Sequence, residues 1–97
     1  MKKPNTLRKK LASHKKELSE NYGLIEMGIF GSYAKGKQKK KSDVDILVEF
    51  KKTPGLLKFL EIELFLEKML GTKVDLFTIK SLRPEFRNSI LKEVVYV

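Results

Sequence analysis

Two aspartates, Asp43 and Asp45, stand two residues apart at the head of an apolar run, and the pair Gly31-Ser32 lies ten residues before them. In an extended chain residues i and i+2 project to one face, so the two carboxylates aim at one spot while Val44, Ile46 and Val48 project into the opposite layer. At about 6 Å and an effective dielectric near 20 their repulsion is about 3 kcal/mol. A divalent cation would offset it, and a hard ion such as Mg²⁺ takes oxygen ligands, typically one or two carboxylates together with substrate phosphates. Gly31 lets backbone come close to a ligand. Ser32 offers a hydroxyl and an N–H at a point where a short helix would begin, which is where anions bind. The phosphate-holding turn and the metal-holding strand therefore read as one site. A third carboxylate, Asp75, interrupts the apolar run Val74 to Phe77, where an ionised group is seldom left without a partner.

Between turn and strand, Lys35, Lys37, Lys39, Lys40 and Lys41 form a basic loop. In so basic a chain this is either a solvated loop or a contact for a triphosphate or an acidic partner, with Lys35 and Lys37 nearest the turn. Glu49 falls on the face of Asp43 and Asp45 but at the far end of the strand, and reads as a solvated end. His14 lies within an apolar stripe and has no part in the chemistry. Arg83 and Arg87, one helical turn apart, read as a solvated face.

The elements that must position these groups follow from periodicity. Pro4-Asn5-Thr6 opens a helix whose Leu7, Leu11, His14, Leu18 and Tyr22 share one face, and Gly23 ends it. Leu24 to Phe30 reads as a strand stopped by Gly31, with a short helical turn from Tyr33 to Gly36. A second strand runs from Ser42 to Phe50. Thr53-Pro54-Gly55 is a turn, and Leu56 to Leu70 a helix closed by Gly71 whose apolar residues exceed one stripe. That surplus calls for cover, by a second copy or by another chain. A third strand spans Lys73 to Thr78, and Asp75 shares the face of Asp43 and Asp45 if the strands are neighbours. Ser81 starts a last helix with Leu82, Phe86 and Ile90 on one side, and Val94 to Val97 is an edge strand or docking segment. The order α-β-β-α-β-α predicts an α/β (α+β) sandwich around a small mixed β-sheet packed by helices, in a single domain over residues 1–97.

A chain of 97 residues holds one core, and with no cysteine it has neither disulfides nor thiolate metal sites. No apolar stretch approaches a membrane span, and the basic N-terminus lacks the hydrophobic segment of a signal peptide, so a cytoplasmic protein with no membrane association is expected. The net charge of +9 predicts attraction to phosphates or to an acidic protein surface. Neither a Walker lysine motif nor a dinucleotide-binding glycine pattern is present, and nucleic acid is not expected as a direct ligand.

These residues carry a resemblance. Gly31-Ser32, a spacer of ten, Asp43-Val44-Asp45 and a later single Asp75 on a strand are similar to the signature of the minimal nucleotidyltransferase (MNT) domain, the smallest branch of the DNA polymerase β-like nucleotidyltransferase superfamily. The similarity spans nearly the whole chain, including the closing Leu82-Arg83-Pro84 and Glu93-Val94-Val95-Tyr96-Val97. It implies the nucleotidyltransferase fold, with Mg²⁺ on Asp43, Asp45 and Asp75, a nucleoside triphosphate held at Gly31 and Ser32, and Asp75 as a candidate proton acceptor. It further implies an antitoxin paired with a HEPN-domain RNase, which it silences by transferring AMP from ATP to a tyrosine of that toxin. A non-catalytic antitoxin that neutralises its partner by binding alone is the alternative.

Overall fold

Leu7, Leu11 and Leu18 recur at helical spacing and are buried in the structure, a computed structural model that describes residues 4–39 and 43–97. Their stripe seats helix α1 (Pro4–Tyr22) on the sheet and leaves its lysine- and glutamate-rich side in water. His14 sits beside the core, its ring edge-on to Phe65 with centroids 5.7 Å apart. Strand β1 (Leu24–Phe30) follows, then β2 (Val44–Phe50), helix α2 (Leu56–Leu70), β3 (Val74–Phe77), a 3-10 turn (Ile79–Ser81), helix α3 (Pro84–Glu93) and a short β4 (Val95–Tyr96). The strands form one mixed sheet in the order β3-β2-β1-β4. β1 is antiparallel to β2 and β4, while β3 runs parallel to β2, as strands joined through a crossover helix do. The expected mixed sheet packed by helices is thus present, and the chain's last apolar residues supply its edge strand.

Alternation along β2 sorts the two faces of the sheet. Val44, Ile46 and Val48 enter the main core with Met27 and Ile29 of β1, Val74 and Leu76 of β3, and the inward leucines of α1 and α2. Phe30 and Leu47 point the other way, into a smaller cluster with Leu82 against which Ile79, Ile90, Leu91 and Val94 pack. One face is therefore covered by two helices and the other only in part, by the α3 region. A register shift between Leu24 and Glu26 inserts Ile25 as an extra residue, which lets Leu24 and Met27 both face the main core.

β3 is an edge strand, yet its outward N–H groups are occupied. Glu67 accepts from the Val74 N–H at 3.1 Å and Glu63 from the Leu76 N–H at 3.0 Å. Two carboxylates of α2 thus close an edge that would otherwise invite pairing with another chain. Gly71 ends α2 in the left-handed region at φ 71°, its N–H returning to the Glu67 carbonyl at 2.8 Å. The apolar surplus of α2 lies on the surface: Leu57 is 83% and Leu64 64% exposed, with Leu56 and Leu60 beside them.

Three expectations are corrected. Ser81 does not start a helix; its hydroxyl closes a turn with the Thr78 backbone, and α3 begins at Pro84, where a missing N–H costs nothing. Leu82 therefore anchors from an extended segment, and Phe86, expected on the same inward side, is exposed. After Ser32 the expected short turn is present: the Lys35 N–H reaches the Gly31 carbonyl at 3.2 Å, the i to i+4 bond of one helical turn, and the Lys37 N–H the Ser32 carbonyl at 2.9 Å, with Gly36 at positive φ. Finally, β2 starts at Val44, so Asp43 lies just ahead of the strand, while Lys40, Lys41 and Ser42 fall outside the described residues. Among the described residues no helix is long and apolar enough to cross a membrane.

Candidate active site

The parallel pairing of β2 with β3 sets Asp45 directly opposite Asp75. Residues opposed in a ladder share a face, so these two carboxylates lie side by side on the partly covered side of the sheet, and Asp43 precedes Asp45 by the two residues that return it to that side. Asp45 is also the register partner of Phe30, the residue before Gly31. The Gly31-Ser32 turn therefore abuts Asp45. Gly31 has φ 74°, and a Cβ there would collide with the Asp45 carboxylate, so glycine is required both by backbone angle and by space. All three aspartates and the Gly-Ser turn meet at one end of the sheet although they span residues 31 to 75.

Asp45 registers the crowding. Burial, then the charges of Asp75, Asp43 and Glu93, push its carboxyl up from the ordinary 3.8 to about 6. Among the described residues, the charges named as acting on it are negative. Such an oxygen-only, anionic donor set is of the chemical type that a hard divalent cation takes. Among the described residues no three His, Cys, Asp or Glu side chains are gathered closely enough to hold an ion as they stand. The backbone thus supplies a shared face of carboxylates and not a finished ligand cage.

The Gly31-Ser32 turn is fixed from two sides. Tyr33 is buried in the main core. Across the turn, Glu93 at the end of α3 accepts the Gly31 N–H through Oε1 at 3.1 Å and pairs through Oε2 with Lys35 Nζ at 3.2 Å. Among the described residues, the N–H groups of Ser32, Tyr33 and Ala34 and the Ser32 hydroxyl have no hydrogen-bond partner, whereas the Gly31 N–H is taken by Glu93. Lys35 faces a carboxylate of its own chain, and Lys37 is exposed beside the turn.

Glu93 is the site residue that motif reading misses. Its one sequence signal is its sign: a carboxylate in the last turn of a helix opposes the helix dipole and asks for a local cation or donor. The carboxylates stand on an open face. Three hollows of the described residues include no aspartate: one of about 490 Å³ is lined by Lys15, Lys16 and Glu20 among others, one of about 480 Å³ by Asn5, Arg8 and Tyr96, and one of about 420 Å³ by Glu49, Phe50 and Thr78.

Comparison with known proteins agrees with this geometry. Residues 11–97 match the family model described as a nucleotidyltransferase domain. The protein adenylyltransferase MntA of Thermococcus cleftensis is 53% identical over 87 residues, covering 90% of this chain and 88% of that protein. A solved structure assigned as a minimal nucleotidyltransferase superposes with TM-score 0.81 at 32% identity, over 97% of this chain and 95% of that one. A toxin–antitoxin complex with AMP-PNP matches with TM-score 0.71 at 25% identity, over 96% of this chain and 70% of that one.

Proposed function

The chain belongs to the nucleotidyltransferase domain family, and from that premise we propose that it is a Mg²⁺-dependent protein adenylyltransferase that moves AMP from ATP to a tyrosine hydroxyl of a HEPN RNase toxin and so acts as its antitoxin in the cytoplasm. The observation that carries the reading is the meeting of Asp45 and Asp75 as register partners, with Asp43 upstream and the Gly31 turn pressed against Asp45. The adenylyltransferase among the relatives and the AMP-PNP complex among the structural neighbours support adenylyl as the transferred group.

In this reading the open N–H groups of Ser32 to Ala34 and the Ser32 hydroxyl grip the β and γ phosphates, and Lys35 and Lys37 on the same turn add positive charge. Asp43, Asp45 and Asp75 would hold a Mg²⁺, which when bound would supply orientation of the phosphates and neutralisation of charge on the leaving pyrophosphate. Asp75, exposed where Asp45 is half-buried, takes the proton of the attacking hydroxyl as the new O–Pα bond forms and the bond from Pα to pyrophosphate breaks. Among the described residues no large hollow adjoins the aspartates, so in this reading the partner itself brings the hydroxyl and excludes water from the site.

The test mixes the purified chain with labelled ATP, Mg²⁺ and a HEPN protein as partner, and measures both label transfer and residual RNase activity. Asp43→Asn and Asp75→Asn are each expected to lower transfer by about 100-fold or more and to leave the RNase active. Protection of the partner that persists in both variants without label would establish neutralisation by binding alone.

A further inference from the structure

Glu93 is placed at a cost that its own surroundings make visible. It sits in the last turn of α3, where the helix dipole disfavours a negative charge. What offsets that penalty lies in its two oxygens. Oε1 takes the Gly31 N–H at 3.1 Å and Oε2 takes Lys35 Nζ at 3.2 Å, across a sequence separation of about sixty residues. The side chain is about one-quarter exposed against about one-half for Lys35, so the contact to the backbone N–H is the better shielded of the two.

Gly31 is the pivot of the turn. Its left-handed backbone and its contact with the Asp45 carboxylate leave it few ways to sit, and Tyr33 pins the next residue but one in the core. The bond to Glu93 adds a third restraint: it holds the Gly31 N–H toward α3, next to the Ser32 to Ala34 N–H groups that have no partner of their own.

We infer that Glu93 is a positioning residue for nucleotidyl transfer, whose carboxylate orients the Gly31-Ser32 turn for the triphosphate and holds Lys35 beside it. The inference rests on the proposed function. Glu93 touches no reacting atom and acts through Gly31 and Lys35, so its removal weakens nucleotide binding more than it slows the chemical step.

The experiment compares Glu93→Ala and Glu93→Gln in the full chain. The glutamine retains an oxygen for the Gly31 N–H and loses the ion pair. Three readouts are taken: the Kd for AMP-PNP with Mg²⁺, the KM for ATP and kcat for transfer to the partner, and the ¹H,¹⁵N resonance and exchange rate of the Gly31 amide. Glu93→Ala is expected to raise Kd and KM about tenfold, change kcat less than threefold, and speed Gly31 amide exchange. Glu93→Gln is expected to weaken binding about threefold and to keep the Gly31 amide near its original shift. A folded Glu93→Ala protein with unchanged Kd and KM overturns the inference, as does a Glu93→Gln protein as impaired as the alanine variant. A wild-type chain that binds no AMP-PNP overturns the nucleotidyltransferase reading and this inference with it, whereas unchanged variants of a wild type that does bind overturn the role of Glu93 alone.

Discussion

Replacing Asp45 with asparagine should stabilise the metal-free protein, which is a sharp consequence of crowding carboxylates on one face. The Asp45 carboxyl is pushed up from 3.8 to about 6 by burial and by Asp75, Asp43 and Glu93. A carboxyl that holds its proton more tightly in the folded chain than in the unfolded one favours the fold at low pH. That contribution is complete below about 3.8 and is lost as pH rises through about 6. At full strength the difference is about 3 kcal/mol, and because Asp45 is only half-buried, screening by water reduces it to about 1–2 kcal/mol. Asparagine keeps the shape and has no charge to lose. At pH 7 Asp45→Asn should therefore exceed the wild type by about 1–2 kcal/mol in metal-free denaturant unfolding, or about 5–10 °C in Tm. The gap should close as the pH is taken down to 4. Added Mg²⁺ should raise the wild-type midpoint and have little effect on the variant, since a ligand stabilises only the state that binds it. An Asp45→Asn protein less stable than wild type at pH 7, or a difference that does not change with pH, would refute the reasoning: Asp45 would then be an ordinary solvated carboxylate.

Two further outcomes follow from the same packing. Gly31→Ala should cost about 1–3 kcal/mol in thermal unfolding and abolish nucleotide binding, because the added Cβ meets the Asp45 carboxylate at a backbone angle that side chains seldom adopt. Leu66→Ala, in the fully buried stripe of α2, should cost about 2–5 kcal/mol, whereas Leu57→Ala on the exposed side of the same helix should stay within about 0.5 kcal/mol; equal effects would mean that α2 does not pack as described.

Much of the fold is local and so can be read along the chain. The bounds of α1, β1 and α2 follow from leucine spacing, a β-rich run and flanking glycines, because each signal lies within a few residues of the element it sets. The boundary that sequence reading misses, at Ser81, is a place where a side chain offers the backbone an alternative to helix: the Ser81 hydroxyl captures the Thr78 backbone. The candidate site divides the same way. Asp43, Asp45, Gly31 and Ser32 are legible because residue type and a spacing of two or ten are properties of the chain alone.

That Asp75 stands opposite Asp45 depends on something no spacing records, a parallel register set by the crossover through α2 and by Glu63 and Glu67 gripping the outer edge of β3. Glu93 is further from reach, since only the packing of α3 over Phe30 and Leu47 brings the end of that helix to Gly31. The chain carries the chemical types and their local directions; the meeting of residues 31, 45, 75 and 93 is decided by burial of apolar faces, a non-local energy that belongs to the folded molecule as a whole.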